Sequence, residues 1–302
     1  MQEAENTPGP RHYPVLLKES LEYLAVRPDG VYADLTAGLG GHAGAIARRL
    51  ESGFVIACDR DAESLELARS NTADSAGRIR FFHGTFSKLP EALEANGISA
   101  VDGLLADLGV SRYQLNSAER GFSLIEDGPL DMRMDRGSSL TAADLVNELP
   151  EKALADLIYQ LGEERRSRRI SRAIVRARPI RTTGRLAQVI EQAAPRTGRI
   201  HPATQTFMAL RLKVNGELEE LEELLRIAPE RLKSGGRFVV LTFMSTEDRK
   251  VKRAFQSLAR EGRARILTRH VVKPARAEVL ENAASRSAKL RAIERVSELS
   301  EF

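Results

Sequence analysis

Residues 31–42 read Val-Tyr-Ala-Asp-Leu-Thr-Ala-Gly-Leu-Gly-Gly-His, a short apolar run ending at Asp34 and passing through Gly38, Gly40 and Gly41 into a segment of helical periodicity. A strand that hands over to a helix through glycines lets backbone approach a ligand closely, and the helix start offers it unpaired N–H groups. That arrangement suits a nucleotide-type ligand; a simple tight turn is the structural alternative. Gly38, Gly40 and Ala43 also satisfy the dinucleotide pattern G-x-G-x-x-A, which keeps a nicotinamide-type oxidoreductase open. Asp59 stands 59 − 41 = 18 residues past Gly41, at the end of the next apolar run, where an acid can receive the two hydroxyls of an adenosine ribose or merely cap a helix. Two carboxylates favour S-adenosylmethionine over a dinucleotide. Asp34 suits the ammonium of its methionine part and is awkward beside a pyrophosphate, and Asp107 ends a later strand at the sheet edge where methyl transfer is usually done.

Outward from this loop, apolar runs at Val31 to Leu35, Phe54 to Cys58, Ile79 to Phe82 and Val101 to Ala106 alternate with helical segments at His42 to Glu51, Asp61 to Asn71 and Ser87 to Ala95. That is the pattern of right-handed βαβ units in a doubly wound sheet. The sheet resumes after the turn signal Gly235-Gly236 with the run Arg237 to Phe243; Ser245 and Asp248 read as a capping box, and Ala264 to His270 and Ala288 to Val296 could add two strands. Between about Leu115 and Gly216 the periodicity is helical throughout, with candidate helices at Leu140 to Leu149, Glu151 to Leu161, Glu163 to Ala177, Leu186 to Ala194 and Pro202 to Leu225. The expected architecture is therefore α/β: a Rossmann-like S-adenosylmethionine-dependent methyltransferase sheet formed by residues 1–114 and 217–302, with an all-α insertion at 115–216 facing the substrate.

Composition narrows the class. With 42% hydrophobic and 29% charged residues the chain is an ordinary globular one, and no run is long and apolar enough for a bilayer span or a signal peptide h-region. The single Cys58 excludes an intrachain disulfide and fits a cytoplasmic protein, and the scattered histidines offer no metal-binding spacing. The net charge of +4 is mild, but nine arginines and two glutamates between Glu163 and Arg185 give 9 − 2 = +7. Arg165, Arg168, Arg169, Arg172 and Arg176 recur at three- or four-residue spacing, which makes a basic helix face suited to phosphates or simply a solvated one.

Longer motifs add a resemblance. Asp34-x-Thr36-x-Gly38-x-Gly40-Gly41-His42, Asp107-Leu-Gly-Val-Ser111 with Gln114, Glu119-Arg-Gly-Phe-Ser123, Gly128-Pro-Leu-Asp-Met-Arg-Met134, Tyr159-Gln-Leu-Gly-Glu-Glu164, His201-Pro-Ala-Thr204 and Val214-Asn-Gly-Glu217 run from about His12 to Val296. Together they resemble the bacterial small-subunit ribosomal RNA methyltransferase H family, also called MraW. The resemblance implies S-adenosylmethionine as cofactor, the N4 of a cytidine in the decoding region of 16S rRNA within the small subunit as acceptor, and cofactor contacts at Gly40, Gly41, His42, Asp59, Phe86, Asp107 and Gln114. Asp34 and Gly38 would shape the same loop, Phe86 would pack on the adenine, and Asp107 is the candidate to accept a hydrogen bond from the amine. Met244 stands where that family usually has a His, Ala37 where it commonly has a Phe, and Asn282 lacks the usual following Pro, so a substrate-handling imidazole is not expected here. Other RNA or amine acceptors, and a non-catalytic RNA-binding factor, are the competing readings.

Overall fold

The computed structural model describes residues 14–196, 198 and 200–296, so that His12 lies outside the described residues. The chain divides into two compact units, the first from Met1–Asp59, Glu63–Gly109 and Glu223–Phe302, the second from Arg60–Ala62 and Val110–Glu222.

In the first unit α1 (Leu17–Leu24) precedes β1 (Val31–Asp34), α2 (Gly41–Ala47), β2 (Phe54–Asp59), α3 (Ala62–Asn71), β3 (Ile79–His83), α4 (Leu89–Glu94) and β4 (Val101–Asp107). In the second, α5 (Arg112–Asn116), α6 (Ala142–Glu148), α7 (Glu151–Gly162), α8 (Ser167–Ala177), α9 (Thr183–Ala193) and α10 (Thr204–Asn215) follow, and α11 (Glu217–Ile227) carries the chain out of it. The first unit then resumes with β5 (Leu232–Thr242), α12 (Ser245–Arg260), β6 (Ala264–Ile266), α13 (Arg276–Glu281) and β7 (Lys289–Arg295).

The seven strands form one sheet in the order β3-β2-β1-β4-β5-β7-β6. β1 to β5 are parallel, whereas β7 runs antiparallel to both β5 and β6. The central strands are continuous apolar runs because both faces of a parallel sheet are covered: Val55, Ile56 and Ala57 of β2, Leu104 to Ala106 of β4 and Phe238 to Leu241 of β5 are inaccessible. From β1 the chain goes outward through β2 and β3 on one side and through β4 and β5 on the other. The strand order therefore reverses between β1 and β4, and ligands of open α/β sheets bind outside the carboxyl ends of the strands at such a point. Among the described residues no helix is long and apolar enough to cross a membrane.

The second unit has its own core, in which Leu145, Leu154, Ile158, Ile170, Ile174, Leu186, Ile190 and Leu210 are buried together. Each such side chain contributes about 1.5–3 kcal/mol by leaving water.

Local chemistry shifts several boundaries from those the periodicity predicts. Gly235-Gly236 does not end before the strand; it lies within β5, where pairing with β4 slips between Val101 and Gly103 as a bulge. The residues expected to make one helix from Pro202 to Leu225 make two, since Gly216 takes a left-handed conformation (φ 57°) that closes α10. The helix expected from Glu163 starts at Ser167, because Glu163 is the left-handed cap of α7 (φ 54°) and Glu164 turns inward to hold Arg166. The cap of α12 is not the Ser245/Asp248 pair. Glu247 Oε2 accepts the N–H groups of Phe243 and Met244, each at 3.1 Å, which puts the cap position at Met244. In the tail, β6 ends at Ile266 rather than His270.

Candidate active site

Three strand ends of the first unit carry acids: Asp34 on β1, Asp59 on β2 and Asp107 on β4. Thr36 ties the first to the third. Its N–H donates to Asp34 Oδ1 at 3.1 Å, and its hydroxyl oxygen accepts the Asp107 N–H at 2.6 Å. The loop after Thr36 is held by two donors, Ala37 N–H to the Cys58 carbonyl and Gly38 N–H to Asp59 Oδ2, both at 2.8 Å. Its glycines answer close approach: Gly40 sits at φ 85°, and a Cβ on Gly41 would lie 2.4 Å from Pro14 Cγ.

His42, in the first turn of α2, is 4% exposed. Its Nε2 lies 3.2 Å from the Val15 carbonyl oxygen, which can only accept, so that nitrogen carries a proton. Nδ1 then faces Asp107 Oδ2 at 3.9 Å. Phe86 is half-buried just beyond the end of β3, whose last residue His83 pairs in register with Asp59.

Two carboxyls of this edge keep their protons to unusually high pH. Burial pushes the Asp34 carboxyl up to about 7, and the charge of Asp59 adds to it against bonds from the Thr36 and Ala43 backbones. Asp107 is pushed up to about 8, first by burial and then by the charges of Asp34 and Glu247. Among the described residues, Asp34 Oδ2 and Asp107 Oδ1 are buried without a hydrogen-bond partner. A buried carboxylate oxygen left unmet is costly unless a donor or cation arrives. The ammonium and sulfonium of S-adenosylmethionine are two such cations on one small molecule, whereas a dinucleotide would bring a pyrophosphate to the same carboxylates. The residues present therefore fit that cofactor.

Gln114 belongs to the second unit. It completes the capping box of α5 with Ser111, its Oε1 accepting the Ser111 N–H at 2.9 Å, and its Nε2 donates to Asp61 Oδ2 at 2.7 Å. Asp61 and Arg120, each 2% exposed, form an ion pair at 3.0 Å. Arg120 Nη2 continues to the carbonyls of Arg133 and Met134, and Asn215 takes the Met134 N–H on Oδ1 and gives Nδ2 to the Met132 carbonyl. Arg60 Nη1 closes the series on the Asn215 carbonyl at 2.6 Å. The motifs Glu119 to Ser123, Gly128 to Met134 and Val214 to Glu217 are thus three walls of one buried polar network. Sequence reasoning missed Asp61, Arg120, Asn215, Thr36 and Glu247 as individuals. For Thr36, Arg120 and Asn215 a place inside a motif was the signal; Asp61 lies outside every motif, and its partners Gln114 and Arg120 are remote in the chain.

The basic face of α8 is narrower than the charge count. Ile170 and Ile174 are buried, and Arg165, Arg168, Arg169, Arg172 and Arg176 are exposed. Arg166 is held by Glu164, Arg178 by the carbonyls of Val146 and Leu149, and Arg172 lies 3.4 Å from Glu151. Among the described residues, Arg165, Arg168, Arg169 and Arg176 have no carboxylate partner.

A family model described as the MraW methylase family matches residues 9–296. The chain belongs to that family. Ribosomal RNA small subunit methyltransferase H of Solibacter usitatus is 62% identical to it over 283 residues, covering 94% of this chain and 99% of the relative. The protein of the same name from Acidobacterium capsulatum is 50% identical over 295 residues, covering 94% and 98%. As a member of the family the chain is a methyltransferase with S-adenosylmethionine as methyl donor, and its reversed strand order and glycine loop are the Rossmann-like features expected of it.

Proposed function

We infer that this rRNA methyltransferase adds a methyl group to the exocyclic N4 of a cytidine in the decoding region of 16S rRNA, acting in the cytoplasm on the small ribosomal subunit. The observation that carries the chemistry is the pair of buried carboxyl oxygens on Asp34 and Asp107 that no donor meets among the described residues. The acceptor comes from the relatives' names and the motif resemblance.

In this reading Gly40, Gly41 and His42 would form the cofactor's wall, Asp59 would take the ribose hydroxyls and Phe86 would pack on the adenine; the motif resemblance adds Gln114, whose side chain is held by Ser111 and Asp61. Asp34 faces the ammonium. The cofactor supplies an electrophilic sulfonium methyl. What the protein adds is placement of N4 in line with it, which supplies much of the rate, and a carboxylate for the amine. The lone pair of a cytosine amine is delocalised into the ring. Asp107, by accepting a hydrogen bond from N4, would return density to nitrogen, and as the N–C bond forms and the S–CH3 bond breaks to leave a neutral thioether, its carboxylate would take the proton that N4 must lose. Burial raises the Asp107 carboxyl to about 8 in the cofactor-free protein, so near neutral pH it serves as a base once the cationic cofactor has favoured its ionised form. The helical unit, through the exposed arginines of α8, takes the RNA backbone.

The test is methyl transfer from labelled S-adenosylmethionine to small subunits from a strain lacking the corresponding activity, with nucleoside analysis of the product. Label recovered as N4-methylcytidine is the expected result. Label on another nucleoside, or none despite a thermal shift with the cofactor, would move the acceptor elsewhere.

A further inference from the structure

At the joint between α7 and α8 the second unit carries a recess of about 440 Å³ lined by Glu163, Glu164, Arg165, Arg166 and Gln205. Close backbone packing fixes the joint beside it. A Cβ on Gly162 would lie 2.4 Å from the Gln205 carbonyl oxygen, so the glycine is what lets α7 come down onto α10 there. Glu163 follows in the left-handed region, its N–H on the Tyr159 carbonyl at 3.0 Å. That left-handed residue ends α7 and turns the chain toward α8. Glu164 is engaged with Arg166 through both oxygens, at 3.1 and 3.2 Å. Glu163 and Arg165 are the recess's exposed charges, and among the described residues neither has an ion-pair partner.

A carboxylate at this place works against phosphate binding. Arg165 in the recess and Arg168 and Arg169 in the first turn of α8 are exposed and suited to RNA, and Glu163 would repel the same backbone unless it receives donors in return. Among RNA groups, the guanine edge with its N1–H and N2–H side by side offers two parallel donors to the two oxygens of one carboxylate. Uracil offers one N–H, and adenine and cytosine one amino group each. Tyr159, 58% exposed and one helical turn before Glu163, adds a ring face on which an unstacked base can lie.

We propose that this recess binds an unstacked guanine of the RNA substrate, with Glu163 receiving its N1–H and N2–H and Arg165 its flanking phosphate. The proposal rests on the reading of the helical unit as RNA-binding. Its test is fluorescence anisotropy of the full chain with three labelled probes: an oligouridine, the same strand with one central guanosine, and the same strand with inosine there, which lacks only the N2 amino group. Guanosine is expected to bind about tenfold tighter than inosine, the value of one hydrogen bond to a charged group. Glu163→Gln, an isosteric change at an exposed position, should abolish that preference and leave oligouridine affinity intact or slightly higher. Equal affinity of the wild type for all three probes, or a preference that survives Glu163→Gln, overturns the guanine site. Arg168→Ala separates the two levels: equal weakening of all three probes upholds RNA binding by this face whatever the guanosine preference shows, and no change in any of them overturns the RNA reading together with the guanine site.

Discussion

Asp34 and Asp107 hold their protons to a pH at which ordinary carboxyls are ionised, and this has a definite sign in stability. Between the ordinary carboxylate range and about 7 to 8, the folded chain binds more protons than the unfolded one, so stability falls as pH rises through that window and levels off above it. Thermal melts of the cofactor-free protein should show the melting temperature declining from pH 5 to pH 8, with a flatter profile for Asp34→Asn. Cationic S-adenosylmethionine favours the ionised carboxylates, so binding near pH 7 should release protons. Calorimetry in buffers of different ionisation enthalpy reads that release directly, and buffer-independent heats would contradict the assignment. Asp107→Asn keeps the shape of the side chain and removes its basicity. Turnover should fall about 10²-fold or more, with a much smaller change in cofactor affinity; full turnover would leave Asp107 as a binding residue only.

At the scale of elements, α12 is the most informative, because Glu247 serves both its start and the active-site edge. It accepts two backbone N–H groups while its buried charge raises the pKa of Asp107. Glu247→Ala leaves those donors orphaned and should cost about 1–3 kcal/mol in denaturant melts. Glu247→Gln keeps an acceptor and deletes the charge, so the Asp107-dependent limb of the pH–rate profile should move to lower pH with little loss of stability. The same element shows what a sequence can and cannot disclose. Its existence follows from the apolar spacing of Val251, Phe255 and Leu258, whereas the usual cap chemistry of Ser245 and Asp248 puts its start one residue too late, because only the fold brings Glu247 onto the Met244 N–H. The parallel strands are legible because burial on both faces writes a continuous apolar run into the chain. The network of Asp61, Gln114, Arg120 and Asn215 is not, since Asp61 meets Gln114 across 53 positions and Asn215 meets Met134 across 81. Counting arginines finds the basic stretch around α8, but cannot tell that Arg166 and Arg178 are engaged in holding the unit together.

For the whole molecule, Arg120 decides whether the second unit keeps its shape. Replacing it with Ala leaves Asp61 buried with one cationic partner fewer and two carbonyls unmet, and should cost about 3–5 kcal/mol. A lowered first transition in calorimetry is the expected signature. RNA binding should depend steeply on salt, and a variant with Ala at Arg168, Arg169 and Arg176 should reduce the slope of log K against log salt by about 0.7 for each phosphate of single-stranded RNA that is no longer neutralised. Finally, the partners β4 and β5 are separated in the chain by the whole helical unit: Val101 pairs with Leu232, and β5 in turn pairs with β7, where Arg237 meets Glu294. During synthesis, β1 to β4 can associate as they emerge, yet the exposed edge of β4 must wait for more than a hundred further residues. Closing so long a loop costs on the order of 4 kcal/mol in chain entropy, and a waiting edge strand invites mispairing. The nascent protein is therefore most vulnerable after β4 and the helical unit have been made and before the C-terminal strands arrive, so chains arrested within that interval should be the ones that chaperones hold and proteases clear.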